Sequence, residues 1–202
     1  MCLRPATVVL TPHVRGHSIV RVWWKERFID DLQNYAERWP NELDTVARFL
    51  RLAEEWPDCL KREHLPGHVT ASAWVVDGRA EAVLLLHHRK IGRRLQPGGH
   101  ADGDPDLRRV ALRELGEETG LTGSIDRRLI FDIDIHTIPP WNGAPRHLHY
   151  DVRFLVRTAA RPVPRANDES EDVGWFALDR VTEWIDERSI ERMVEKTQSL
   201  FG

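Results

Sequence analysis

The sequence predicts an α/β/α sandwich with a mixed sheet, preceded by an N-terminal helical hairpin. Two observations support this fold class. The stretch from Val22 to about Leu60 has helical periodicity that is broken once, at Trp39-Pro40-Asn41. From Val69 onward, short strand patterns alternate with two further helical stretches. Strands, a helix, more strands and a closing helix indicate a mixed sheet that carries helices on its faces.

The first third of the chain divides into an arm and the hairpin. Residues 1–16 contain Arg, Pro, His and Gly without a clear period, and we expect a loose arm there. The hairpin is assigned to residues 17–63. Pro40 disfavours helix in the residue before it, and Asn41 is expected to cap the second helix. That helix should end at Trp56-Pro57-Asp58.

The rest of the chain, residues 64–202, is predicted to form the α/β domain. A Gly-rich, basic loop is expected over Ile91–Gly103, ahead of a helix in which Asp104 is the N-cap and Gly120 the left-handed C-terminal cap. The expected strands are Val69–Val76, Ala82–His87, Leu129–Thr137, His149–Val156 and Trp175–Ala177, and the expected helices are Pro105–Thr119 and Val181–Leu200.

Composition excludes several classes of protein. The 202 residues carry a net charge of −3, whereas a protein that binds duplex nucleic acid through its phosphates is usually strongly basic. The two cysteines, Cys2 and Cys59, cannot form a disulfide framework. No apolar run is long enough to span a membrane, and the N-terminus does not match a signal peptide. We therefore expect no membrane partner and a cytoplasmic location.

The helix expected over Pro105–Thr119 ends its inward face in carboxylates. Four residues share one face and a fifth lies beside it: Leu107, Ala111, Glu114 and Glu118, with Glu117. Like charges at these spacings repel, and a bound divalent cation would remove that cost. Carboxylate oxygens favour Mg²⁺ or Mn²⁺ over zinc, and Mg²⁺ often takes substrate phosphates as further ligands. The pattern therefore indicates phosphoanhydride chemistry.

A solvated, acidic helix end is the alternative interpretation of these carboxylates. Two features favour the metal site over it. The preceding Pro97-Gly98-Gly99 can bring backbone carbonyls close to a cation. Gly116 lies inside the helix, where it costs about 1 kcal/mol relative to Ala.

The stretch Gly99–Leu121 resembles the box of the Nudix hydrolases, which cleave a nucleoside diphosphate linked to another group. The family pattern is Gly, five residues, Glu, seven residues, then Arg-Glu-aliphatic-any-Glu-Glu-any-Gly-aliphatic. The residues that match it are Gly99, Arg113, Glu114, Leu115, Glu117, Glu118, Gly120 and Leu121. Pro105 replaces the first Glu, and Asp104 or Asp106 is expected to orient Arg113 instead. A weaker resemblance runs from about His68 to Ala177, so the α/β domain over residues 64–202 is the expected catalytic domain, of the Nudix hydrolase type.

The resemblance implies a metal site and a Nudix-type fold. Glu114, Glu117 and Glu118 would hold Mg²⁺ or Mn²⁺, together with a backbone carbonyl at Gly98. The metal would activate a water that attacks phosphorus and would offset charge on the leaving phosphate. A homodimer is a further expectation from the resemblance.

The resemblance also implies catalytic roles for Glu114, Glu118 and Arg113. Glu114 is the first candidate for orienting or deprotonating the water, and Glu118 is the second. Some members of the family take the base from a later loop, where Glu169 and Glu171 are the candidates. Arg113 is expected to orient carboxylates rather than to touch the substrate.

Substrate contacts are predicted on both sides of the Gly-rich loop. His100 directly follows the two glycines and is expected to face substrate or metal. Arg89 and Lys90 belong to a basic patch, completed by Arg93 and Arg94, that could neutralise substrate phosphates. A solvated hairpin end is the alternative interpretation of this patch. Glu169 is the acidic candidate for the substrate site.

Histidine is unusually frequent in the catalytic domain. Alternation along two predicted strands places two polar sets each on one strand face: His147, His149 and Asp151, and Asp132, Asp134 and His136. These faces could line a pocket, or they could simply face solvent.

The sequence thus predicts a Mg²⁺-dependent hydrolase of a phosphoanhydride bond in a nucleoside diphosphate derivative or nucleoside triphosphate. The partner is a small-molecule substrate, with no duplex nucleic acid. Two alternatives stay open. One is a catalytically idle module that binds a nucleotide and regulates another protein, which Pro105 favours. The other is a hydrolase of a non-nucleotide diphosphate.

Overall fold

The computed structural model describes residues 19–126, 129–140 and 143–202, with side chains from residue 23 onward. The arm predicted over residues 1–16 lies outside these ranges. Within them, no helix combines the length and the apolar character needed to cross a membrane.

The predicted helical hairpin is present. Its helices are α1 (Ile19–Arg38) and α2 (Leu43–Glu55), joined through a short 3-10 turn at Pro40–Glu42. Asn41 lies inside that turn, and Glu42 is the residue that precedes α2. The prediction that Asn41 caps the second helix is therefore wrong, because the proline-initiated 3-10 turn delays the helix to Leu43.

Eight strands of the described residues form one mixed sheet. They are β1 (Gly67–Val76), β2 (Ala82–His88), β3 (Arg93–Leu95), β4 (Gly98–His100), β5 (Ser124–Ile125), β6 (Asp132–Ile138), β7 (His147–Arg157) and β8 (Ser170–Ala177). The strand order is β3-β2-β1-β7-β5, with β4 also on β1, β6 on β7 and β8 on β2. The β1–β7 pair is parallel, and the other pairs are antiparallel. The mixed sheet was predicted, whereas β3 and β4 were expected to be loop.

Two helices follow the first strands, with different bounds from those expected. Helix α3 (Leu107–Thr119) begins after Asp106, whose side chain accepts a hydrogen bond from the Arg109 amide at 3.4 Å. Asp106, not Asp104, is therefore the N-cap. Gly120 has φ +67° and forms the predicted left-handed C-cap. Helix α4 (Arg188–Phe201) begins seven residues later than predicted, after a 3-10 turn at Val181–Glu183.

The sheet packs on both faces because side chains alternate along β1. Val69, Ala71, Ala73 and Val75 join a core that includes residues of α1, α2 and α3. Trp74 and its neighbours on the opposite face pack against α4. The indole N–H of Trp74 donates to Thr197 Oγ1 at 2.9 Å. The hairpin thus shares its core with the sheet, and its division from the domain near residue 63 stays a prediction.

A buried charge network joins α4 to the sheet and to the hairpin. Asp132 is fully buried and accepts hydrogen bonds from Arg153 (3.1 Å), Arg192 (2.8 Å) and Lys196 (2.6 Å). Lys196 also lies 2.6 Å from a carboxylate oxygen of Glu42. Because buried charges are tolerated only when they are paired, this network fixes how α4 docks on the sheet.

Candidate active site

The carboxylate of Glu118 is buried against the backbone of β4. Glu118 is 6% exposed, and its Oε2 accepts a hydrogen bond from the amide of Gly98 at 2.8 Å. Gly98 is paired with Ser72 of β1, and a Cβ at Gly98 would overlap the Cβ of Ser72. A glycine is therefore required for β4 to lie close enough to β1 and to Glu118.

Gly99 faces the other way and contacts Glu114. A Cβ at Gly99 would lie 2.6 Å from the carboxylate carbon of Glu114. Since successive residues of a strand point to opposite faces, His100 projects to the same side as Gly98, away from Glu114. Gly98 thus lets β4 lie close to Ser72 of β1, and Gly99 lets β4 lie close to Glu114 of α3.

Arg113 holds Glu114 in place. Its Nη2 donates to Glu114 Oε1 at 2.6 Å and to the carbonyl oxygen of His100 at 2.9 Å. Its Nε lies 3.8 Å from Glu117 Oε1, and the Glu117 side chain is 61% exposed. The three box glutamates therefore gather around one end of α3, at increasing depth from Glu117 to Glu118.

The substitutes expected for the missing first box glutamate do not orient Arg113. Asp104 accepts two hydrogen bonds from the guanidinium of Arg109, at 2.8 Å and 2.5 Å, and Asp106 caps the helix. Arg113 instead takes its orientation from the His100 carbonyl and Glu114. Pro105 is exposed and precedes the cap.

Electrostatics show that the cluster is under charge repulsion. Burial, followed by the charges of Glu114, Glu169 and Glu117, raises the pKa of Glu118 to about 8, although its hydrogen bond from Gly98 acts in the opposite direction. Burial also raises the pKa of Glu114, and Arg113 opposes that rise. These repelling carboxylates fit a hard divalent cation, because all of the ligand atoms that they offer are oxygens and a cation would neutralise their charge.

Three of the predicted substrate residues flank the paired strands β2 and β8: Arg89 and Lys90 directly follow β2, and Glu169 directly precedes β8. Arg89 donates its amide to the carbonyl of Glu169 at 2.9 Å, and its Nη2 to the carbonyl of Ser170 at 3.3 Å. Arg89, Lys90 and Glu169 are exposed. The charge of Glu169 reaches Glu118, so this loop borders the carboxylates.

Asn167 is a contact that the sequence analysis missed. Its Nδ2 donates to the carbonyl of Glu117 at 3.3 Å, and its Oδ1 accepts from the amide of Glu169 at 2.9 Å. The amide of Arg165 also donates to the carbonyl of Thr119. These bonds tie the segment before β8 to the end of α3. No local pattern in the sequence marks Asn167, because the contact crosses 50 residues.

The predicted histidine faces do meet in the structure. His136 pairs with His149, and Asp134 with Asp151, between β6 and β7. His68 of β1 pairs with His149 from the other side. The solvent-facing alternative does not apply to Asp132, which is fully buried.

Comparison with known proteins defines the class. A family model described as NUDIX domain matches residues 66–196, so the chain belongs to the NUDIX family. It is an enzyme of the Nudix pyrophosphohydrolase type. Comparison with curated proteins gives no match.

Solved structures share the fold at low sequence identity. A C. elegans Ap4A hydrolase is 17% identical with a TM-score of 0.53, covering 65% of this chain and 96% of that chain. A NUDIX-family hydrolase from Clostridium perfringens is 20% identical with a TM-score of 0.53, covering 66% and 97%. The E. coli dihydroneopterin triphosphate pyrophosphohydrolase is 15% identical with a TM-score of 0.51, covering 63% and 92%. The predicted Nudix fold is therefore confirmed.

Proposed function

We propose that the protein hydrolyses a phosphoanhydride bond in a nucleoside diphosphate derivative or nucleoside triphosphate, with Mg²⁺ or Mn²⁺ as cofactor. The observation that carries the proposal is the set of box carboxylates gathered at the end of α3. Glu118 is the deepest of them and has a pKa raised to about 8. Keeping several carboxylates this close costs free energy in the absence of a cation, and such a cost is typical of a site that binds one.

Glu114, Glu117 and Glu118 would hold the cation, with the carbonyl of Gly98. The cation would lower the pKa of a water and offset charge on the phosphates. The exposed Glu117 supplies oxygens on the solvent side, from which a phosphate can approach. Arg113 is a positioning residue, because its hydrogen bonds go to Glu114 and to the His100 carbonyl.

Glu114 is the proposed general base. The water oxygen forms a new bond to phosphorus, its proton passes to a carboxylate oxygen of Glu114, and the leaving phosphate takes the electron pair of the broken P–O bond. Arg113 and the backbone at Gly99 hold the Glu114 carboxylate in one position, which suits it to orient the water. Glu118 stays the second candidate base, and Glu169 is a candidate from the later loop, because it is exposed and its charge raises the pKa of Glu118.

Arg89 and Lys90 are proposed to bind the substrate phosphates. Both are exposed, and Arg89 is joined by its backbone to Glu169, beside the carboxylates. His100 receives a different role below, since its side chain leaves β4 on the side away from Glu114.

The test is product release from a panel of nucleoside triphosphates, nucleotide sugars, dinucleoside polyphosphates and ADP-ribose. Each is assayed with Mg²⁺, with Mn²⁺ and with EDTA. Glu118→Gln should lower kcat/KM by about 100-fold or more, because it removes a metal ligand. Glu81→Gln, an exposed carboxylate between β1 and β2, is the matched control and should keep full activity.

Two other results would replace the proposal. If no substrate of the panel is hydrolysed but nucleotides still raise the melting temperature, the protein is a nucleotide-binding module. The loss of the first box glutamate at Pro105 favours that alternative. If no substrate is hydrolysed and no nucleotide raises the melting temperature, a non-nucleotide diphosphate becomes the expected substrate.

A further inference from the structure

Five histidines converge at one end of the sheet, on the face opposite Glu114. This histidine cluster consists of His68 on β1, His100 on β4, His136 on β6, and His147 and His149 on β7. The strand register creates it: His149 pairs with His68 on one side and with His136 on the other. His100 reaches the same face from the end of β4, opposite Thr70.

Three of these rings form a compact triangle. The ring centroids of His68 and His149 are 4.9 Å apart, those of His68 and His100 are 5.1 Å apart, and those of His100 and His149 are 5.0 Å apart. One ligand nitrogen from each of the three lies within 4.8 Å of the other two. Tetrahedral Zn²⁺ with Zn–N bonds near 2.1 Å requires separations of about 3.4 Å. Small rotations of the three rings would close that gap.

The hydrogen bonds leave ring nitrogens of this triangle without a partner. Nδ1 of His68 lies 3.3 Å from the carbonyl of His64, and because a carbonyl only accepts, Nδ1 carries the proton and Nε2 carries the lone pair. Nε2 of His68 and Nε2 of His149 are both buried, and neither has a hydrogen-bond partner among the described residues. Each such buried group costs about 1–3 kcal/mol unless something binds it.

The surrounding histidines show the same arrangement. His147 donates its Nδ1–H to the carbonyl of Pro145 at 2.8 Å, and His136 donates its Nδ1–H to Asp134 at 3.1 Å. Metal-binding histidines typically donate one ring N–H to a carbonyl or carboxylate, which fixes the tautomer and leaves the other nitrogen for the metal. Three histidines of the cluster, His68, His136 and His147, thus make the Nδ1–H hydrogen bonds that are typical of metal-binding histidines.

The rings are also held neutral, as metal ligands must be. Burial, with repulsion from neighbouring histidines, lowers the pKa of His68 to about 4 and that of His149 to about 2. Burial lowers the pKa of His100 as well. Uncharged imidazoles can pack at these distances without repelling one another.

We propose that His68, His100 and His149 bind a divalent transition-metal ion of the zinc type, at a site separate from the carboxylates of α3. Imidazole nitrogens select such ions, whereas carboxylate oxygens select Mg²⁺ or Mn²⁺, so the two sites do not compete for the same metal. Three imidazoles leave a fourth tetrahedral position, and His147 is the adjacent imidazole that can fill it.

The site would tie together the ends of β1, β4 and β7. His100 directly follows Gly99, so a metal held by His100 also fixes the strand that contacts Glu114 and Glu118. The proposal stands on the histidine geometry alone and does not depend on the reaction that the carboxylates perform.

The first experiment measures zinc content. The full chain, prepared without a polyhistidine tag, is stripped with chelator, loaded with Zn²⁺, desalted and assayed for metal. We expect one zinc per chain in the wild type. His149→Gln and His68→Gln should weaken Zn²⁺ affinity by about 100-fold or more in chelator competition. His87→Gln, a histidine paired with Glu171 outside the cluster, is the matched control.

Glu118→Gln separates this site from the carboxylate site. It should retain zinc while losing hydrolysis, whereas His149→Gln should lose zinc. A wild type that holds zinc but hydrolyses no substrate of the panel would contradict the proposed function only. Zinc that is lost in Glu118→Gln and kept in both histidine variants would place it at the carboxylates and overturn this inference.

Cobalt provides a readout that does not depend on a variant folding. Wild-type protein loaded with Co²⁺ should show the intense visible absorption of tetrahedral, nitrogen-bound cobalt. The weak spectrum of octahedral, oxygen-bound cobalt would overturn the inference, as would a wild type that retains no zinc after desalting.

Discussion

Gly99 of β4 lies directly against the carboxylate of Glu114 on α3. A Cβ at Gly99 would be 2.6 Å from the carboxylate carbon, which is closer than real side-chain carbons approach. The adjacent residue, His100, points to the opposite face and joins the histidine cluster. One residue step along β4 therefore separates an oxygen-rich site from a nitrogen-rich site.

Gly99→Ala is expected to displace the Glu114 carboxylate. Overpacking of this kind costs about 1–3 kcal/mol of stability. If Glu114 is the base, as proposed, displacing it by about 1 Å should lower kcat/KM by about 100-fold. Steady-state kinetics and thermal denaturation of the same preparation test both parts. Full activity in Gly99→Ala would show that Glu114 is not held by this contact.

Gly116→Ala is the matched control within the same motif. Among the described residues outside its own helical turn, a Cβ at Gly116 would meet one atom within 4 Å, the Leu121 carbonyl oxygen at 3.8 Å. Alanine inside a helix is more stable than glycine by about 1 kcal/mol. We expect a raised melting temperature with unchanged kcat/KM. A loss of activity in Gly116→Ala would mean that an added methyl group lowers activity even where the structure has room for it, so the loss in Gly99→Ala could not be assigned to its contact with Glu114.

Glu118 should make the metal-free protein less stable as pH rises. The pKa of Glu118 is about 8 when folded, against an ordinary value of 4.5. Between these two values the folded state keeps a proton that the unfolded state has lost. This stabilisation is fully present below pH 4.5 and disappears as pH rises through about 8, at no more than about 1.4 kcal/mol per pH unit.

Glu118→Gln should therefore flatten the profile of unfolding free energy against pH and exceed the wild type in stability above pH 8. Urea denaturation in EDTA across this range gives the measurement. Glu117→Gln serves as the control, because the Glu117 side chain is 61% exposed. Identical slopes for wild type and Glu118→Gln would show that Glu118 is ionised throughout.

Asp132→Asn is expected to destabilise the fold by about 3–5 kcal/mol. The substitution leaves Arg153, Arg192 and Lys196 buried or half-buried without the carboxylate that they share. Asp172→Asn removes the partner of Arg94 at a site where the aspartate is 59% exposed, and should cost under about 1 kcal/mol. Chemical denaturation compares the two, and equal losses would mean that the Asp132 network contributes no more than a surface pair.

Pro105→Glu restores the first glutamate of the box. Pro105 is exposed and lies before the cap residue Asp106, so the helix does not depend on it. The free energy of unfolding should change by no more than about 0.5 kcal/mol, and activity should stay equal or rise modestly. Kinetics on the substrate identified by the panel provide the test. A large loss of activity would show that the segment between β4 and α3 requires proline at position 105.

Local sequence determined much of the carboxylate site. The spacing of Glu114, Glu117 and Glu118 on one helix fixes their relative directions, since a helix has a regular turn. Gly120 marks the end of that helix because only glycine adopts φ +67° easily. The strands with strong apolar patterns were also predictable. The short β3 and β4 were not, because three residues carry no period.

Tertiary structure alone decided which distant residues meet. Nothing local to His68, His100 or His149 indicates that their rings form a triangle. The parallel register of β1 on β7 places His68 beside His149, and the pairing of β4 with β1 brings in His100. Register depends on the packing of both sheet faces, and a slip of one residue would turn every side chain of a strand to the other face. The helix therefore encodes its carboxylates in sequence, whereas the histidine cluster exists only because the whole sheet assembles in one register.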